Sequence, residues 1–209
     1  MTSSGKWAAV VWGVATLAVI VAAGLAGWWI IRPDPITQSA GPATGPATLV
    51  TGDDYYFFVR LVEFKRTNFG DKWDSGNSSA PDAQVILHWR GNRVFELPER
   101  PDQLIATWDL FRVDVKQLIT SGGEIDITGA INAPLIKAGP DEKVTIEVWD
   151  SDTMSRDELA LKMDIPLAPL TAGVNAITLP KDCGLERLEV QLIDRRTPLP
   201  QLLELASRR

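Results

Sequence analysis

The sequence holds one cysteine, Cys183, and one histidine, His88. A single cysteine excludes an intramolecular disulfide in any compartment. A single histidine excludes two-histidine zinc and iron sites, and every Ser-His-Asp or Cys-His chemistry would have to use His88. That residue stands between Leu87 and Trp89 in an apolar run that reads as a strand interior, where a histidine on a sheet face is the ordinary case. Runs of basic residues are also lacking. From Leu49 onward 19 Lys and Arg stand against 26 Asp and Glu, so nucleic acid, which needs clustered cations, is excluded as a partner. No nucleophile motif and no phosphate-cradling glycine loop occur. Asp150 and Asp152 are paired, but alternate residues of one loop do not by themselves set the separation that glycoside hydrolysis needs across a substrate. The chain is expected not to be an enzyme.

Charge is absent as well from residues 7–31, 25 positions long and mostly apolar. That is enough to cross a hydrocarbon core as a slightly tilted helix. Trp7 and Trp12 mark one end and Trp28 and Trp29 the other, as rings at two interfaces do. Arg32, Pro33 and Pro35 close the run. The apolar stretch is about twice a signal-peptide core and continues past the small residues at 22–27, which favours an uncleaved single-pass anchor over a cleaved signal peptide. Lys6 and the α-amino group precede it, and the positive-inside bias then puts the N-terminus in the cytoplasm and the domain outside. Ala18, Ala22 and Ala26 form a small-residue stripe on which two such helices can self-associate. Residues 1–6 are a short tail, and residues 32–51 are a linker rich in Pro, Gly, Ala and Thr, with Gly41 to Thr44 repeated as Gly45 to Thr48.

Residues 52–196 read as an all-β domain, followed by a tail over 197–209 that is the one candidate for a helix. Short segments alternate apolar and polar residues with period two. Phe57, Val59 and Leu61 share a face, as do Val85, Leu87 and Trp89, before a tight turn at 90–93 into the strand from Val94 to Leu97. Phe111, Val113 and Val115 form another such set, and Ile125 to Ile127 is a candidate for one more strand. Val144, Ile146 and Val148, then Leu159, Leu161, Met163 and Ile165, then Leu188, Val190 and Leu192 complete the series. Seven or eight short strands with Gly, Pro, Asn or Asp between them predict an antiparallel β-sandwich.

Two connections are acid-rich. The segment from Asn68 to Asp82 holds Asp71, Asp74 and Asp82, and the segment from Asp150 to Glu158 holds Asp150, Asp152, Asp157 and Glu158. Carboxylates this close repel one another, and a bound cation or plain solvation at an exposed loop is the usual reason for such a turn. Calcium takes six to eight oxygens, largely carboxylates and carbonyls, from loops of this kind.

The spacing of Asp150, Asp152 and Glu158, with Trp149 before and Leu159 after, resembles the third calcium loop of C2 domains. The run from Asp74 through Gly76 to Asp82 resembles their first loop, with Pro81, Asp82 and Ala83 where the family has Asp-Pro-Tyr. Thr107, Trp108 and Asp109 are similar to the family's Asn-Pro-x-Trp-Asn segment. The resemblance implies an eight-stranded C2-like sandwich and Ca2+ held by Asp74, Asp82, Asp150, Asp152 and Glu158, with Asp157 facing outward. It implies docking on anionic phospholipid or a protein partner. Trp73 and Met154 then read either as loop-tip residues that enter a membrane interface or as core and rim packing. The alternative keeps the sandwich metal-free, as an interaction domain of a membrane complex.

Overall fold

Hydrogen-bond register, rather than the period-two pattern alone, decides where each strand of this chain lies. The structure is a computed structural model that describes residues 47–68, 70, 72–73, 80–120, 126–151 and 157–207. The chain divides at Thr44 and Gly45 into two units, and the account that follows is of the second. The proposed anchor, most of the linker, Asp71, Asp74, Asp152, Met154 and Ile125 lie outside the described residues. Among the described residues no helix is long and apolar enough to cross a membrane.

Nine strands occur among them: β1 (Asp54–Phe64), β2 (Ala83–Trp89), β3 (Asn92–Glu96), β4 (Ile105–Thr107), β5 (Leu135–Lys137), β6 (Lys143–Asp150), β7 (Glu158–Pro166), β8 (Gly173–Ala176) and β9 (Leu185–Asp194). Three helices, α1 (Val115–Thr120), α2 (Ile127–Ala130) and α3 (Leu199–Ser207), accompany them. One antiparallel sheet runs β3-β2-β6-β7 and the other β4-β1-β9-β8, with β5 also on β1. Both β4 and β5 lie against β1, opposite Leu61–Glu63 and Asp54–Tyr56. Six of the expected strands are found, the expected sets at Phe111 and at Ile127 are not strands, and β4, β5 and β8 are additional.

The inner faces of the two sheets meet in a single core. Phe57, Val59, Val62, Leu188, Val190 and Leu192 come from one sheet, and Val85, Leu87, Val144, Ile146 and Val148 from the other; all are essentially inaccessible. In β2 and β6 these residues alternate with less buried, mostly polar ones, the pattern of strands with one face in the core, whereas Tyr55–Val59 of β1 and Leu188–Ile193 of β9 are buried on both faces. At the β2–β3 hairpin, Arg90 and Gly91 have φ of 54° and 78°, the left-handed pair that a two-residue turn needs to match strand twist. His88 lies on the outer face of its sheet beside Glu147, Nε2 to Oε1 3.6 Å, as expected of a strand histidine.

Four expectations change. Phe111, Val113 and Val115 do not form a strand: the Asp114 carboxylate accepts the Lys116 N–H at 2.9 Å and the chain turns into α1. The set around Ile127 is likewise helical, because Asp126 caps α2 by accepting the Thr128 N–H at 3.0 Å. In β1 a bulge between Val59 and Leu61 transfers the inward position from Leu61 to Val62. In β7 the register with β6 steps from Leu161 opposite Val148 to Leu159 opposite Trp149, so Ala160 is the extra residue and Leu159 is left 39% exposed.

Candidate metal centre

The acidic positions are built on strand ends. Asp150 continues the inward parity of Val144, Ile146 and Val148 and is fully buried at the rim of the sandwich. Its Oδ1 accepts the Asp82 N–H at 2.7 Å, and the Ser151 N–H donates to the Asp82 carbonyl at 2.9 Å. This two-way clamp extends the β2–β6 ladder by one step beyond the Ala83–Asp150 pair. On the other side of β6, Asp150 pairs with Glu158, the first residue of β7. The sheet thus brings Asp82, Asp150 and Glu158 to one end.

Two further connections reach this end. Asp82 Oδ1 accepts the N–H of Asp102 at 2.7 Å, where φ is 58°, and Arg100 pairs with Ala83 through both backbone groups. Asn68, in the connection that follows β1, donates from Nδ2 to Glu158 Oε2 at 2.6 Å. Its Oδ1 is buried without a hydrogen bond. Asn68 is the residue that sequence reasoning missed. It opens the first acid-rich connection, but a neutral amide oxygen does not stand out among carboxylates, although carbonyl oxygens suit calcium equally well.

Trp73 is not a loop-tip residue. It is 2% exposed, its Nε1 donates to the Lys65 carbonyl at 2.7 Å, and its ring meets Phe64 edge-on at 5.2 Å between centroids. Gly184 leaves the room for it: a Cβ there would lie 2.5 Å from Trp73 Cη2. The first acidic connection is therefore nailed to the core next to the site. Asp157 is exposed, as expected. Asp74 and Asp152 lie outside the described residues, and among those described no three His, Cys, Asp or Glu side chains gather closely enough to hold a metal ion.

The two ends of the sandwich differ in charge balance. At the far end, Lys137 and Arg195 pair with Asp54 at 3.0 and 3.4 Å, and Arg196 with Asp53 and Asp194 at 2.5 and 2.7 Å. The Arg196 hydrogen bond holds the Asp194 carboxyl below its ordinary range, and that of Lys137 does the same for Asp54. Among the described residues no Lys or Arg pairs with Asp82 or Glu158. These carboxylates and the Asn68 amide oxygen are oxygen donors of the kind calcium takes, but fewer than the six to eight that fill its shell.

No family model matches the chain, and no curated protein is similar to it in sequence. Solved structures with a similar chain course include a C2 domain, at 13% identity over 68% of this chain and 98% of that one, TM-score 0.39. A C2 domain of plant extended synaptotagmin 1 shares 10% identity over 71% of this chain and all of its own, TM-score 0.44. Human GIVD cytosolic phospholipase A2 shares 13% identity over 73% of this chain, TM-score 0.44, and the match takes in 17% of the phospholipase.

Proposed function

We propose that this chain is a non-catalytic, membrane-tethered C2-like binding module that takes up Ca2+ at one end of its sandwich and docks there on anionic phospholipid or a protein partner. The observation that carries the reading is the placement of Asp82, Asp150 and Glu158 at adjoining ends of β2, β6 and β7, with the unsatisfied Asn68 oxygen beside Glu158. Asp74 and Asp152, from the same two connections, complete the ligand set that the C2 resemblance implies.

When bound, Ca2+ supplies positive charge and open coordination positions for a phosphate oxygen. The chain's own part is to hold the ligands. The clamp between Asp82 and Asp150 fixes two of them on rigid strands, Trp73 anchors the first connection in the core, and Asn68 orients Glu158. Without the ion, carboxylates at this end repel anionic headgroups; with it, the local field inverts. Residues 7–31 are the anchor, the linker holds the domain off the bilayer, and the domain lies on the extracytoplasmic side, where a weak site stays filled.

One observation favours the metal-free alternative. Each described carboxylate of the set already accepts a hydrogen bond, from Asp82 N–H, Asp102 N–H or Asn68 Nδ2. In that case the same end is a hydrogen-bonded junction, and the domain presents its surface to a protein partner. Capture of phosphatidylserine vesicles by the full chain, its anchor already held in uncharged phosphatidylcholine nanodiscs, separates the two. Capture that requires calcium and is abolished by chelator supports the first reading, and no capture with or without calcium, beside a chelator-indifferent pull-down of a protein from membranes, supports the second.

A further inference from the structure

The outer face of the β1–β9 pair is the polar side by sequence, and it holds a buried side chain that pairs with nothing in the chain. Phe58 stands opposite Gln191 and Leu61 opposite Glu189 across the strands, on the side away from the core residues Val59 and Val190. Gln191 is 7% exposed, yet its amide makes no hydrogen bond to another side chain or to the backbone among the described residues. Buried amides are nearly always paired, and one left without a partner is costly.

The amide opens on a cavity of about 220 Å3, which Leu205 and Ala206 of α3 also line. That is room for about seven waters at roughly 30 Å3 each, or for one small ligand. Phe58, Leu61, Leu110 and Leu205 give the cavity apolar walls. Water there would satisfy Gln191 and leave those walls wet.

The charges around the cavity cancel. Arg60 and Arg187 line it, and so do Glu189 and Asp109. Arg187 is hydrogen-bonded to Glu189, and Arg60 Nη1 stands 3.6 Å from the other oxygen of that carboxylate. Arg60 and Asp109 each have a further partner. An ion entering here would leave water without gaining a counter-charge, so the chemistry that fits is uncharged.

A primary amide offers two N–H donors beside one carbonyl acceptor. Its complement is a second carboxamide, since the two groups exchange N–H to carbonyl bonds in both directions. We propose that this cavity binds small uncharged carboxamides, the amide head paired with Gln191 and an aliphatic body lying between Phe58, Leu61 and Leu205. The cavity shares no residue with Asp82, Asp150, Glu158 and Asn68 of the acidic end, and the proposal stands apart from calcium.

Three ligands of one shape test it: hexanamide, hexanoate and heptan-2-one carry an amino group, an anionic oxygen and a methyl group at the same position. Each is titrated calorimetrically into the full chain in uncharged phosphatidylcholine nanodiscs, with empty nanodiscs subtracted. Hexanamide binds saturably at one site. Heptan-2-one binds about tenfold more weakly, because it leaves the Gln191 carbonyl unpaired. Hexanoate binds roughly tenfold more weakly or worse, for want of a counter-charge. Gln191→Leu weakens hexanamide about tenfold and removes its advantage over heptan-2-one, and Ala206→Phe fills the cavity and abolishes binding. The ligand series needs no variant, so the test stands even where one of them does not fold. No saturable binding of hexanamide, hexanoate or heptan-2-one binding as tightly as hexanamide, or unchanged hexanamide affinity in folded Gln191→Leu or Ala206→Phe would overturn the proposal.

Discussion

The Asp150 carboxylate accepts the backbone N–H of Asp82 at 2.7 Å, so one candidate ligand fixes the position of another. The bond makes Asp150 a structural residue as well as a candidate ligand, and the two roles separate by substitution. Asn at 150 keeps an oxygen acceptor in place and removes the charge. Ala leaves the Asp82 N–H without its partner at a part-buried position, a loss of about 1–3 kcal/mol. Urea unfolding of Asp150→Ala is therefore expected to show that loss, with Asp150→Asn close to the unmodified chain. Equal losses in both would mean that the charge, not the hydrogen bond, stabilises this end.

Trp73 and Gly184 are a coupled pair. A methyl at 184 meets Trp73 Cη2 at 2.5 Å and the Ala160 backbone at 3.2 Å. The backbone of Gly184 cannot retreat, being held by its N–H to Ala160 at 2.7 Å and by the Lys65 N–H to its carbonyl at 2.8 Å. Gly184→Ala is expected to cost about 1–3 kcal/mol through overpacking, and Trp73→Ala about 3–5 kcal/mol through the cavity it leaves. In a double-mutant cycle the Gly184→Ala penalty largely disappears once Trp73 is removed. Additive losses would contradict the contact.

The ion pairs of the far end give it a pH dependence of definite sign. Asp194 is held below the ordinary aspartate value of 3.8 chiefly by its hydrogen bond from Arg196, and Asp54 chiefly by Lys137. A carboxyl whose folded value is depressed contributes stability that is fully present above the unfolded value and is lost as pH falls through the folded one. Melting temperatures of the unmodified chain and Arg196→Gln are expected to differ at neutral pH and to converge as pH drops below about 3.8. Added salt shrinks the neutral-pH gap, since these groups are exposed. A gap that widens in acid would reverse the sign of the linkage.

The strands that are legible in the sequence are those with one face buried and one wet. Val144, Ile146 and Val148 alternate cleanly because Thr145 and Glu147 face out. The pattern fails where local hydrogen bonds compete. Asp114 and Asp126 satisfy N–H groups of a following turn, and the chain takes α1 and α2 although Phe111, Val113 and Val115 have strand spacing. It fails again at Ala160, where one extra residue turns Leu159 outward. At β9 the alternation is right but its meaning is not, since Glu189 and Gln191 are polar and buried all the same. Of the site, Asp82, Asp150 and Glu158 are legible as carboxylates at a repeated spacing. Asn68 and the Asp102 N–H are not, because a neutral amide and a backbone donor leave no such signature.

The central claim rests on calcium at this end, and a thermal melt of the full chain with and without the ion tests it most directly. Calcium is expected to raise the melting temperature, chelator to reverse the rise, and Asp150→Asn with Asp152→Asn to abolish it while leaving the metal-free melt in place. A melting temperature indifferent to calcium in the unmodified chain would contradict the claim.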